Sequence, residues 1–105
     1  MRRTNQEIIY LEKTEELARF AKALGHPTRI KILNYLENQS CCYTGDLLEV
    51  IPLAQSTISQ HLKELKTAGL IQGAVNPPKI KYCINVKNWE KARKLFNIFF
   101  EKRTT

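Results

Sequence analysis

The side chains best suited to bind a soft metal or exchange electrons are three cysteines, Cys41, Cys42 and Cys83, with two histidines, His26 and His61, as the remaining metal ligands of choice. Cys41 and Cys42 are adjacent. A zinc finger separates its paired ligands by a few residues, and a disulfide between neighbours is strained, so the pair is neither pattern. The spacing of His26 and His61 to the cysteines matches no local metal motif. What the thiols offer is softness: they suit a thiophilic ion such as arsenite, and the adjacent pair suits redox sensing. The competing role is structural, because cysteine is often buried as a small hydrophobe and strand alternation sends Cys41 and Cys42 to opposite faces. His26 precedes Pro27 and fits the N-cap of a helix. Enzyme chemistry is not expected, since there is no Gly-rich phosphate loop, no carboxylate cluster and no nucleophile–base pair.

A second chemistry lies on one helix. From about Gln55 to Ala68 the apolar residues Ile58, Leu62 and Leu65 fall within about 60° of one another at 100° per residue. Ser56, Ser59, Gln60, Lys63 and Thr67 occupy the far side, about 100° to 200° round. That face holds hydroxyls, an amide and a cation, and no carboxylate. A helix entering the major groove needs small donors for phosphates and bases and an amide for adenine. His61 borders the apolar stripe, either packed with one nitrogen in a local hydrogen bond or touching phosphate.

The elements that must position these residues follow from periodicity and punctuation. A long first helix runs from about Asn5 to Leu24, ended by Gly25. A second starts at Pro27 and presents Ile30, Leu33 and Leu36 to about Glu37. Asn38 to Ser40 reads as a turn, Cys41 to Tyr43 as a short strand, and Thr44 as the N-cap of a short helix ending before Pro52. Pro52-Leu53-Ala54 is a connection of helix-turn-helix length. Gly69 caps the 55–68 helix. Leu70–Val75 and Lys79–Asn85 form a hairpin around Asn76-Pro77-Pro78, with Ile80, Tyr82 and Ile84 inward. The last helix spans Val86 to about Lys102. Its Trp89, Ala92, Leu95, Phe96, Ile98, Phe99 and Phe100 form an arc too broad for one contact face.

Two separated runs carry a family resemblance: Ala23-Leu24-Gly25-His26-Pro27-Thr28-Arg29-Ile30-Lys31-Ile32-Leu33, and Gln55-Ser56-Thr57-Ile58-Ser59-Gln60-His61-Leu62-Lys63-Glu64-Leu65 with Ala68-Gly69-Leu70-Ile71. Over about residues 8–100 the chain resembles the ArsR/SmtB family of winged-helix bacterial repressors. The resemblance implies a mainly α fold with a small β-hairpin wing, a winged helix-turn-helix of order α-α-β-α-α-β-β-α. It also implies a homodimer that binds an inverted-repeat operator in double-stranded DNA and releases it when an inducer, often a metal or metalloid ion, binds. Residues 55–63 then lie on the recognition helix and 71–83 form the wing. Gln55, Ser56, Thr57, Ser59, Gln60, His61, Lys63, Lys66, Lys79 and Lys81 are the expected DNA-binding residues. Pro77-Pro78 stands where glycine and arginine are usual, which argues against a minor-groove arginine. The family's best-known metal positions are absent: Tyr43 and Gly45 occupy the two thiol positions, and residues 86–105 hold no His or Asp. In the family fold the strand with Cys41-Cys42 lies beside the wing's second strand, so Cys41, Cys42 and Cys83 are the expected site for arsenite or another thiophilic ion, or for oxidation. No cofactor is required. A redox-sensing or non-metal-responsive repressor, and a winged-helix protein-interaction module, are the alternatives.

Composition agrees. The 105 residues suit one domain spanning 1–105. The net charge of +7 is uneven: residues 1–52 carry 7 Lys/Arg and 7 Asp/Glu, residues 53–105 carry 10 and 3. That asymmetry favours a polyanion, nucleic acid before membrane. No apolar run approaches a membrane span and the N-terminus lacks a signal-peptide pattern, so a cytoplasmic protein with mostly reduced thiols is expected. A chain this short cannot bury Ile8, Ile9, Leu11, Trp89, Leu95, Phe96, Phe99 and Phe100 while also filling a core. Its first and last helices are therefore expected to form a dimer interface.

Overall fold

The computed structural model describes residues 3–101. Helix α1 (Asn5–Leu24) opens with a capping box: Thr4 Oγ1 accepts from the Glu7 amide at 3.1 Å and Glu7 Oε2 accepts from the Thr4 amide at 3.2 Å. Helix α2 (Pro27–Gln39) starts as expected, with His26 at the N-cap accepting from the Thr28 amide at 3.1 Å through Nδ1. It runs through Asn38 and Gln39, which were expected to turn, and stops at Ser40, whose φ of 70° takes the chain out of helical space. Its buried face is Ile32, Leu33 and Leu36; Ile30, expected there, is largely exposed.

Strand β1 (Cys41–Tyr43) passes directly into helix α3 (Thr44–Val50). Here the cap differs from expectation. Tyr43 is the N-cap and Thr44 is already helical, because the Asp46 carboxylate accepts from the Tyr43 amide at 2.8 Å. Helix α4 (Gln55–Ala68) has the expected bounds and ends at Gly69, φ 89°. Strands β2 (Ile71–Asn76) and β3 (Lys79–Ile84) form the hairpin, each within a residue of its expected ends, and helix α5 (Val86–Glu101) closes the chain. Lys102, the expected end of α5, and Arg103 lie outside the described residues.

The sheet is antiparallel with order β1-β3-β2. One core fills the space between it and the helices: Phe20 of α1, Ile32 and Leu36 of α2, Leu47 of α3, Ile58, Leu62 and Leu65 of α4, and Leu70 and Ile71 are essentially fully buried. Burial of each such side chain stabilises the fold by about 1.5–3 kcal/mol, so α4 is clamped by its apolar stripe and its other face is left to solvent. Tyr82 and Ile84 pack against this core, whereas Ile80, expected inward with them, is substantially exposed toward the wing tip. The result is a winged helix-turn-helix: mainly helical, with α3 and α4 as the paired helices and β2–β3 as the wing.

Candidate nucleic-acid interface

The stripe that buries Ile58, Leu62 and Leu65 turns Gln55, Ser56, Thr57, Ser59, Gln60, Lys63 and Lys66 outward, all exposed. Lys79 and Lys81 are exposed on β3. The two groups meet. Gln55 and Ser59 of α4, Lys79 and Tyr82 of the wing, Tyr43 at the start of α3 and Asp46 within it line one concavity of about 400 Å³, the Asp46 carboxylate being engaged by the Tyr43 amide. The Lys79 ammonium lies 5.4 Å from the centre of the Tyr43 ring, which orients it by cation–π attraction. Lys66 Nζ is 3.5 Å from where a β-carbon on Gly73 would sit, so this cation runs alongside β2. Hydroxyls, an amide and several cations thus share a surface made of α4 and the wing, the composition that phosphate and base-edge contacts require.

Three features were not read from the sequence. Gln60 Nε2 donates to Glu64 Oε1 at 3.0 Å, so the amide is partly engaged along its own helix. Tyr43 contributes to the concavity from a strand end distant in sequence, with no local pattern to announce it. Arg29 of α2 donates from Nε to His61 Nδ1 at 3.1 Å and reaches the Ala23 carbonyl.

That bond agrees with the packed reading of His61 and goes against its expected place among the DNA-binding residues. The side chain is buried, 8% exposed, with its ring centroid 4.4 Å from that of His26. Burial, then the neighbouring His26 and Arg29, holds its pKa below the ordinary 6.5, with Glu64 opposing. A neutral, enclosed imidazole cannot reach phosphate; it ties the inner side of α4 to α2.

The cysteines also divide differently from the expected trio. Cys41 and Cys83 are register partners across β1 and β3 and are joined as a disulfide, so two of the three thiols expected to be mostly reduced are bonded. Cys42 points the other way into the core, 3% exposed, and burial followed by the charge of Asp46 pushes its thiol up to about 11. Strand alternation is the reason: neighbouring residues cannot face one centre. Among the described residues no group of three or more His, Cys, Asp or Glu side chains is placed to hold a metal ion.

Elsewhere, two cations of α5 are engaged. Lys91 of α5 pairs with Glu16 of α1, and Arg93 Nη2 sits 2.7 Å from Glu90 Oε2. Among the described residues no helix is long and apolar enough to cross a membrane.

Comparison with known proteins agrees with this geometry. A family model described as "Bacterial regulatory protein, arsR family" matches residues 26–72, from the N-cap of α2 to the start of β2. The transcriptional repressor PagR of Bacillus anthracis is 30% identical over 82 residues, covering 70% of this chain and 83% of PagR. The arsenical resistance operon repressor of Staphylococcus xylosus is 35% identical over 71 residues, covering 68% of this chain and 67% of that protein. Among solved structures, an ArsR-like transcriptional regulator from Rhodococcus sp. RHA1 superposes with a TM-score of 0.70 at 29% identity, covering 84% of this chain and 83% of that one. With a helix-turn-helix whose reading face joins a basic wing, and relatives of this kind over most of their length, the chain belongs to the ArsR family of winged-helix transcriptional regulators.

Proposed function

We propose that this protein is a cytoplasmic repressor that binds an inverted-repeat operator in double-stranded DNA as a homodimer and leaves it in response to a signal. Residues 1–105 act as one DNA-binding domain, with α1 and α5 as the dimer interface. Gln55, Ser56, Thr57, Ser59 and Gln60 meet bases and phosphates in the major groove, and Lys63, Lys66, Lys79 and Lys81 meet phosphate. The observation that carries this reading is the shared concavity of α4 and the wing, in which Gln55, Ser59 and Lys79 line one surface.

The test is binding to a duplex selected from a random-sequence pool, followed against salt. Affinity is expected to fall steeply as salt rises, and Lys63→Ala should reduce the slope of log K against log salt by about 2 for a dimer. Salt-insensitive or absent binding would instead favour a protein-interaction module. For the signal, either a thiophilic ion such as trivalent arsenic, which takes the reduced pair, or a change in the redox state of the pair is supported by the direct opposition of Cys41 and Cys83. That pair, without Cys42, is where such a signal acts.

A further inference from the structure

We propose that Cys41 and Cys83 form a reversible dithiol–disulfide pair, a modification site for two-electron oxidants, whose state sets how firmly the wing is held to the helix-turn-helix. The effect on DNA rests on the operator-binding reading above; the chemistry of the pair does not.

Position comes first. The two cysteines face each other directly across the antiparallel β1–β3 ladder with Cα atoms 4.1 Å apart. Their bond spans 42 positions and closes a loop that holds α3, α4 and β2, the elements of the reading surface. β1 is three residues long, follows α2 after the single residue Ser40, and enters α3 with no intervening loop. Any freedom gained by β1 relative to β3 is therefore passed straight to the helix-turn-helix on one side and the wing on the other. Without the bond, the two strands are held together by a ladder of only three residue pairs.

Accessibility comes second. Cys41 and Cys83 are half-buried, within reach of small reagents, while Cys42 is enclosed in the core and its thiol resists ionisation. Oxidant chemistry is thereby confined to one pair. In a compartment that keeps thiols reduced, a disulfide is usually transient and redox-sensing and not a permanent staple.

The chemistry balances with a peroxide as oxidant. One thiolate of the pair attacks a peroxide oxygen, breaking the O–O bond and giving a sulfenic acid and, after proton transfer, water. The second thiol attacks that sulfur, forming the S–S bond and releasing a second water. Two thiols lose two electrons in all, and the peroxide gains them. A dithiol reductant returns two electrons and two protons by exchange through a mixed disulfide.

The linked state is the tighter-binding one. With β1 and β3 joined, Tyr43, Gln55, Ser59 and Lys79 already line one surface, and a preordered surface loses less conformational freedom on binding. Reduction is then the releasing event.

The experiment uses the full chain treated with hydrogen peroxide or dithiothreitol; one portion is denatured and alkylated to count free thiols, Cys42 included, and another is titrated folded and unalkylated against the selected duplex. One alkylated thiol is expected after peroxide and three after dithiothreitol. The reduced protein is expected to bind about tenfold more weakly. Three alkylated thiols after peroxide, equal affinity in the two states, or tighter binding when reduced overturns the proposal. Cys41→Ser and Cys83→Ser should each bind like the reduced wild type in either buffer, and a peroxide response that survives in them overturns it too. Should the wild type bind no duplex in either state, the operator reading fails, and the thiol count alone still decides whether the pair exists.

Discussion

His61 occupies the inner side of α4, where Arg29 donates to Nδ1 and the ring of His26 packs against its own. Accepting on Nδ1 requires the neutral imidazole. A proton there would replace the bond with two opposed donors and add a positive charge beside Arg29, against which only Glu64 is favourable. The folded state thus holds the His61 pKa below 6.5, and the unfolded chain takes up the proton first as pH falls. The resulting stability is fully present above about pH 6.5 and is lost as pH drops through the folded value. The wild-type melting temperature should therefore fall more steeply between pH 7.5 and 5.5 than that of His61→Gln; parallel curves would contradict the assignment. A second residue-scale expectation concerns Cys42. Its thiol, pushed up to about 11 by burial, should stay unalkylated at pH 8 in the folded protein while reacting at once in denaturant.

At the scale of elements, the junction of α4 with the wing and α5 turns on Gly69. Its φ of 89° lies in the left-handed region, and a β-carbon there would come within 2.8 Å of Asn88 Nδ2, which donates to the Gly69 carbonyl at 2.9 Å. Gly69→Ala should cost about 1–2 kcal/mol, read as a lowered urea midpoint at unchanged slope. Asn88→Ala should cost less, because the turn itself survives. This glycine was legible in advance, as was the whole of α4, because an apolar stripe at helical spacing ending in glycine is a local signal. What escaped was non-local. The register that sets Cys83 opposite Cys41 depends on how β1 docks against β3, some 40 positions later in the chain. Thr44 looked like a cap until Asp46 reached back to the Tyr43 amide, and Ile30 looked buried until Ile32 took the inner face of α2. The candidate reading surface was expected from the 55–68 helix and two wing lysines, but Tyr43 joined it only through the fold.

At the scale of the whole molecule, the surface left over argues for a second copy. Ile98, Phe99 and Phe100 on α5 are 54%, 54% and 67% exposed, and with Tyr10 and Leu17 of α1 and Leu95 they line an apolar groove of about 510 Å³. Phe99 and Phe100 pack edge to face, which fixes their rings as a shaped surface and not as loose side chains. Lys13 also lines this groove, Lys91 pairs with Glu16 and Arg93 with Glu90, while Lys63, Lys66, Lys79 and Lys81 are the cations proposed above for DNA. Four phosphate-directed cations per chain bind weakly alone. Two chains related by a two-fold place two α4 helices about 34 Å apart, one DNA turn, and the second contact becomes intramolecular. Phe99→Lys puts a charge into that apolar groove at a position already half exposed in the single chain, so it should split the dimer with little change in the folding of each copy. The expected result is a sedimentation mass falling from twice 12.2 kDa to 12.2 kDa, with operator affinity falling by about 100-fold or more. A wild-type chain that sediments as a monomer at micromolar concentration, or a Phe99→Lys protein that stays dimeric and binds as before, would place the interface elsewhere.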